Sequence, residues 1–372
     1  MQRALALAEQ GTALASPNPL VGAVLVRDNT VVGEAFHTYE GRKHAEVLAI
    51  EQAGEAARGA TLYINLEPCC HQGRTGPCTE VILGAAVKRV VAAMQDPNPQ
   101  VSGKGLERLR QAGVDVEVGL CREQAERLNE SFACYVRTGL PLVTLKTAMT
   151  LDGKIAAPDD NSPSTSLGAL SLPKGGWVTS EEARAHVQRQ RHAHDAILTG
   201  IGTILADDPL LTDRCGLPRR RPLLRVVMDS HLRVPTTARA VEQVDNDLLL
   251  FCSPSADPDK RRELERRGIQ ICALTGDARP DLRKVLEEIG RREITSVLLE
   301  AGAELNGAAL EAGVVDKVFL YYSPKILGGY DSLPVAGGRG IRAMRDALPV
   351  HRICHYNFGP DFAIEGYLRD VY

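Results

Sequence analysis

The chain has 372 residues, a net charge of −3, 44% hydrophobic residues and only 4% aromatic ones. That length exceeds what one hydrophobic core supports, so two domains are expected. The charge balance argues against a large nucleic-acid footprint, the scarcity of aromatics against stacking platforms for single strands, and no apolar run approaches the ~20 residues needed to cross a membrane.

The first residues, Met1 to Glu9, turn acidic too soon for a signal peptide and read as a helix, so a cytoplasmic protein is expected. Apolar runs at 21–26 and 61–66 suit buried strands, and 44–53 and 78–86 read as helices. A strand at 88–94, a helix at 105–111, a strand at 114–118 and one long helix over 123–137 follow. Thr138-Gly139-Leu140-Pro141 breaks that helix and is the best boundary, dividing 1–139 from 140–372. Beyond it, strands are predicted at 142–147, 196–199, 223–228, 248–252, 269–274, 296–299 and 318–322. Helices are predicted at 180–191, 258–267, 280–291 and 304–311, with a β-rich ending. Both halves are α/β in class. Residues 158–176 are rich in Ser, Pro, Gly and Asp and read as a loop.

Nine cysteines, an odd number and mostly far apart, imply no disulfide framework; only Cys69, Cys70 and Cys78 cluster, which points to metal or catalysis. His44, Cys69 and Cys78 supply the three protein ligands of a catalytic zinc site, whose fourth position takes water. Zinc lowers the pKa of that water towards ~7, and a carboxylate must then carry a proton to the leaving amine. Glu46, two residues after His44, is the candidate; both face one metal only near a helix start. Cys78 follows Gly76-Pro77 and also opens a helix, where a thiolate is favoured. Zinc nucleobase deaminases carry H-x-E followed by P-C-x-x-C. Here the second pair is wider, and Cys70 and His71 stand between as rival ligands. His44 taken alone would read as a surface histidine; the ordered set carries the metal reading.

The stretch from Glu67 to Cys78, with Pro17-Asn18-Pro19-Leu20-Val21-Gly22 and His37, resembles the bifunctional deaminase–reductases of riboflavin biosynthesis, and the likeness continues through the second half. It implies a cytidine-deaminase-like α/β/α layer domain followed by a dihydrofolate-reductase-like α/β domain, using Zn2+ and NADPH. The implied substrate is a diamino-hydroxy-pyrimidinone bearing a phosphoribosylamino group, deaminated and then reduced at the sugar to a ribityl chain. Asn18 would contact the substrate, although turn chemistry explains an Asn there equally well. Lys43 replaces the family's usual Pro, with a surface effect expected.

The second half lacks G-x-G-x-x-G, so no Rossmann-type site is supported. By resemblance Lys146 to Lys154 opens the reductase fold with Ala148 at the cofactor, and 199–212 is the substrate and cofactor loop, leaving a strand as a polar loop. Asp207 then matches the acid assisting reduction and a cofactor contact, Thr203 another, while Arg191, Arg214 and Leu211 would hold the ribose phosphate end of the substrate. Trp177 would lie against the nicotinamide, Glu300 would touch substrate, and Gly302, Ala303, Glu304, Leu305, Asn306, Gly307 and Ala308 would cradle cofactor phosphate, with Ser230 a weaker candidate. Read without the resemblance, each is an ordinary turn, core or surface residue. Gly175 replaces the family's Ser two residues before the Trp, and the stretch 152–177 is longer than usual, which implies either ordering on ligand binding or an impaired reductase. A homodimer through the reductase domain is expected, with no nucleic-acid or membrane partner. Two other readings stand beside this one: a nucleobase or tRNA deaminase with a non-catalytic C-terminal domain, and a purely structural zinc.

Overall fold

A computed structural model describes residues 1–71, 76–158, 178–275 and 279–372. They form two compact units: 1–139 with 218–221 and 371–372, and 140–217 with 222–370. The first unit therefore draws on two short segments from beyond the boundary legible in the sequence.

In the first unit, α1 (Gln2–Glu9), β1 (Gly22–Arg27), β2 (Thr30–Phe36), α2 (Ala45–Ala53), β3 (Thr61–Ile64), α3 (Cys78–Gly84), β4 (Arg89–Ala92), α4 (Lys104–Gln111), β5 (Asp115–Val118), α5 (Arg122–Leu128) and α6 (Glu130–Thr138) follow in order. Their sheet runs β2-β1-β3-β4-β5. β1 is antiparallel to β2 and β3, and β3, β4 and β5 are parallel. Leu25, Leu62, Ile64 and Val90 of the strands pack with Ile50, Ile82, Leu106 and Leu109 of the helices. α2 lies hard against β2: a Cβ on Gly33 would sit 2.1 Å from the Ala49 carbonyl oxygen.

Two local expectations are corrected. β2 has no counterpart in the sequence reading, because its pattern carries a mid-strand glycine and mixed burial. The predicted helix over 123–137 is two helices, broken at Asn129. Asn129 is buried, and its amide binds the backbone of Leu20 from both sides: Oδ1 accepts Leu20 N at 2.8 Å and Nδ2 donates to Leu20 O at 3.0 Å.

The second unit comprises β6 (Leu142–Thr150), β7 (Lys154–Ala156), α7 (Glu181–Ala193), β8 (Ala196–Gly200), α8 (Ile201–Asp207), β9 (Leu224–Met228), α9 (Arg239–Glu242), β10 (Leu248–Cys252), α10 (Pro258–Arg266), β11 (Gln270–Ala273), α11 (Leu282–Arg291), β12 (Ser296–Leu299), α12 (Ala303–Glu311), β13 (Lys317–Ser323), β14 (Leu333–Pro334), β15 (His351–Phe358) and β16 (Asp361–Tyr367). Its main sheet runs β11-β10-β9-β8-β12-β6-β13-β16-β15. The strands are parallel from β11 to β13, after which β16 and β15 add antiparallel. Central β6 is buried at all its positions, as a strand covered on both faces must be. The segment after β8, expected as a polar loop, is instead the short helix α8. β12 inserts between β8 and β6, so the carboxyl ends of three parallel strands open side by side, where α/β sheets bind ligands. No helix among the described residues is long and apolar enough to cross a membrane.

Candidate active sites

In the first unit His44 is the N-cap of α2 and Cys78 the first residue of α3, so both project from helix starts. His44 Nδ1 lies 3.0 Å from Cys78 Sγ and 3.5 Å from Cys69 Sγ. The three ligand atoms fall within 4.8 Å of one another, and among the described residues no other His, Cys, Asp or Glu joins such a group. The rivals Cys70 and His71 are thus left out. The helix-end effect on thiolates falls on a different sulfur than expected: the Cys78 backbone N–H, at the start of α3, donates to Cys69 Sγ at 3.4 Å. Hydrogen bonding from the Cys78 side chain, and then His44, holds the Cys69 thiol below its usual range. The Cys78 thiol is pushed up by that same contact and by burial. Two sulfurs crowded with one imidazole is a donor set that a divalent cation relieves.

Glu46 lies in the first turn of α2, buried, with Oε2 lacking any hydrogen-bond partner. Burial pushes its carboxyl up to about 6 against the pull of His44. A buried oxygen without a protein partner beside three metal donors is what a proton carrier for a metal-activated water requires. The residues present therefore fit zinc.

Asn18 and His37 form the wall beside this centre. Asn18 Nδ2 is 2.9 Å from His37 Nε2, and His37 Nδ1 is 3.0 Å from the Lys43 carbonyl. A carbonyl only accepts, so Nδ1 carries the proton, Nε2 accepts, and Asn18 donates. Burial pulls His37 below its usual range, consistent with this neutral ring. Its ring meets His44 edge-on at 5.3 Å and 79°. The Lys43 side chain points away to Glu51 at 2.8 Å, as a surface replacement should.

Glu67 carries a role the sequence did not signal. Buried just before Pro68-Cys69, its carboxylate accepts the backbone N–H of Asp96 (3.0 Å), Gly103 (2.8 Å), Gly105 (2.8 Å) and Leu106 (3.4 Å). A Cβ on Gly105 would stand 2.0 Å from the Pro68 oxygen, so α4 is pressed onto the ligand loop.

In the second unit the sequence candidates gather around β6, β8 and β12. Glu300 is buried, accepting Arg191 Nε at 2.8 Å, Arg191 Nη2 at 2.9 Å and Lys146 Nζ at 3.3 Å. Arg191 Nη1 also donates to Thr212 O at 3.1 Å. In this geometry Arg191 and Glu300 face each other, and Lys146, not singled out from the sequence, completes a buried triad. Burial, then Arg191 and Arg239, pulls the Arg214 guanidinium below its usual range, as expected of cations gathered together.

The adjacent aspartates part company. Asp208 has a left-handed backbone (φ 42) and its Oδ1 accepts Arg239 N at 2.8 Å, at the start of α9. Asp207, half-buried, ends α8. Thr203 is buried within α8, Ala148 within β6, and Leu211 in the core at φ 57, a strained backbone for a leucine. Ser230 follows β9.

The proposed phosphate cradle is only partly open. Gly302 is the N-cap of α12, and a Cβ there would meet nothing within 4 Å. Ala303, Glu304 and Leu305 form the first turn of α12. Asn306 and Gly307 are turned into the fold instead. Asn306 Nδ2 donates to Ala301 O at 3.1 Å and Val335 O at 2.9 Å, and a Cβ on Gly307 would stand 2.1 Å from Gly337 O. Ala308 lies further along the helix, half-buried. Thr199 Oγ1, one residue before the end of β8, and Thr147 Oγ1, within β6, are buried polar atoms without partners. An open helix N-terminus and these orphaned hydroxyls fit a phosphorylated cofactor. Trp177, Gly175 and the rest of 159–177 lie outside the described residues.

The chain matches the family model described as the RibD C-terminal domain over residues 141–364, and the cytidine and deoxycytidylate deaminase zinc-binding region over residues 1–94. It is 39% identical to the riboflavin biosynthesis protein RibD of Bacillus amyloliquefaciens over 370 residues, covering 100% of this chain and 96% of that protein. It is 41% identical to the protein of the same name from Escherichia coli, covering 93% of this chain and 92% of the other. Among solved structures, Acinetobacter baumannii RibD superposes with a TM-score of 0.82 at 34% identity, covering 98% of this chain and 97% of that one. A Thermotoga maritima structure, titled a diaminohydroxyphosphoribosylaminopyrimidine deaminase/5-amino-6-(5-phosphoribosylamino)uracil reductase, gives 0.80 at 35% identity, covering 99% of this chain and 97% of that one.

Proposed function

This chain belongs to the bifunctional RibD family of riboflavin biosynthesis, and from that premise we propose how its residues divide the two reactions. It is both a zinc-dependent deaminase, a hydrolase, and an NADPH-dependent reductase. A nucleobase or tRNA deaminase with a non-catalytic second half is not favoured, because the second half itself matches the reductase family. The functional boundary is placed at 139/140.

The first reaction takes 2,5-diamino-6-(5-phosphoribosylamino)pyrimidin-4-one. Zinc, when bound by His44, Cys69 and Cys78, makes a water reactive at neutral pH. Asn18, held by neutral His37, orients the pyrimidine ring. Glu46, two residues from the ligand His44 and buried beside it, takes the proton of the attacking water and returns it to the departing amine. The observation that carries this half is the orphaned, buried Glu46 oxygen beside three metal donors.

The second reaction reduces the ring-opened ribosyl group of the deaminated product. NADPH, when bound, supplies the hydride. The open N-terminus of α12 at Gly302–Leu305 receives cofactor phosphate, with Ala148, Thr203 and Ser230 along the crevice. Arg214 meets the substrate phosphate, and Asp207 gives the proton. Glu300 holds Arg191 and Lys146 in register behind the site. Incubating zinc-loaded protein with the diamino substrate and NADPH tests both halves: ammonia release and NADPH oxidation are expected, and absence of both refutes the assignment.

We also place the protein in the cytoplasm as a homodimer through the reductase domain. Among the described residues edge strand β15 pairs only with β16, and Ile353 on that strand is 51% exposed. An edge with exposed apolar groups needs covering. Sedimentation of the native chain against Ile353→Lys reads this: a dimer that the substitution dissociates is expected, a native monomer refutes it.

A further inference from the structure

We propose that Arg220 is a positioning residue of the deaminase site, braced from the half of the sequence that carries the reductase. Residues 218–221 follow the loop bearing Leu211 and Arg214, yet they group with the first unit. There the Arg220 backbone N–H donates to Ala13 O at 3.0 Å, and Nη1 donates to Ser16 O at 2.8 Å. Its guanidinium stacks over the Tyr39 ring, 3.5 Å from the centroid, and Nε donates to Glu40 at 3.3 Å. Arg221 Nη2 adds a bond to Ser16 Oγ at 3.1 Å. Ser16 stands two residues before Asn18, and Tyr39 two residues after His37. One planar side chain thus clasps both strands of chain that deliver the Asn18–His37 pair, and Tyr39 N closes the clasp on Leu14 O at 3.0 Å.

The Glu40 contribution is small, because its side chain is 78% exposed and the pair is screened. The stack and the bond to the Ser16 carbonyl need a rigid planar fork, which lysine does not offer. None of these groups touches the metal donors among the contacts above. Loss of the clasp therefore loosens the substrate wall while leaving the zinc centre assembled. The inference rests on the assignment of Asn18 as a substrate contact.

The test uses the full, zinc-loaded chain. Arg220→Ala is expected to raise the deamination KM by about tenfold or more, with kcat changed less than about threefold. Zinc content and NADPH oxidation on the deaminated intermediate stay as in the native chain. Arg220→Lys is expected to behave like Arg220→Ala, and Glu40→Gln to stay within about twofold of native. Asn18→Ala is expected to raise KM, and the double variant to be less than additive. An unchanged KM in Arg220→Ala beside a raised one in Asn18→Ala overturns the brace alone. An unchanged KM in Asn18→Ala overturns the substrate contact and the brace with it. Loss of zinc, or an equal fall in both activities, overturns the positioning role in favour of general destabilisation.

Discussion

Replacing Glu300 by glutamine is the sharpest test of the reductase triad. Burial alone would raise this carboxyl, but Arg191 and Lys146 overcome it and hold Glu300 at about 2 against the usual 4.5. That difference is worth about 3 kcal/mol by linkage, in line with the ~3–5 kcal/mol cost of stranding a buried ion. Lys146 behaves oppositely: burial, with repulsion from Arg191, outweighs Glu300 and pulls it down to about 8. The asymmetry is physical, since one carboxylate faces two cations. Glu300→Gln is therefore expected to destabilise the second unit by about 3 kcal/mol, lowering its melting temperature by about 6–12 °C for a unit of this size. Lys146→Met removes a group that burial already penalises and keeps the Arg191–Glu300 fork, so about 1 kcal/mol or less is expected. Because the folded Glu300 carboxyl is held low, the native advantage is complete above pH 4.5 and disappears as pH falls through about 2. Scanning calorimetry at pH 7 and in acid reads all three. A Glu300→Gln shift below about 2 °C, or a Lys146→Met shift as large, refutes the reasoning.

Glu46→Gln is expected to cut deamination about 10²–10⁴-fold with zinc and NADPH oxidation retained; unchanged deamination would return the zinc to a structural role. Chelation should abolish ammonia release and spare the reductase, and zinc should restore it. Gly307→Ala drives a Cβ to 2.1 Å from Gly337 O, so a loss of about 1–3 kcal/mol is expected in thermal unfolding. Gly302→Ala meets no neighbour, so stability should hold while the KM for NADPH rises; an unchanged KM would remove Gly302 from the cofactor site.

The group His44, Cys69 and Cys78 that could hold a metal, and Glu46 beside it, were legible in the residue types and their order, because metal chemistry admits few donors. Most strands were legible as apolar runs. β2 was not, since Gly33 interrupts its pattern and is there for the close passage of α2. Nor was the break at Asn129, whose cause is a pair of hydrogen bonds to Leu20, 109 positions away in sequence.

By itself the sequence determined the α/β class, a two-part chain, the candidate zinc set and, through the quoted motifs, the family to expect. Only the tertiary structure decided which sulfur receives the α3 N–H, that Cys70 and His71 stand outside the metal group, that Glu67 binds four backbone amides, and that Asn306 reaches Val335 while Gly307 passes close to Gly337. It alone brought Lys146, Arg191 and Glu300 together and returned Arg220 to the first unit. Spacing along a chain constrains neighbours within a turn or a strand. The partners of a buried charge or an unpaired amide are set by which distant segments the sheet order brings beside it.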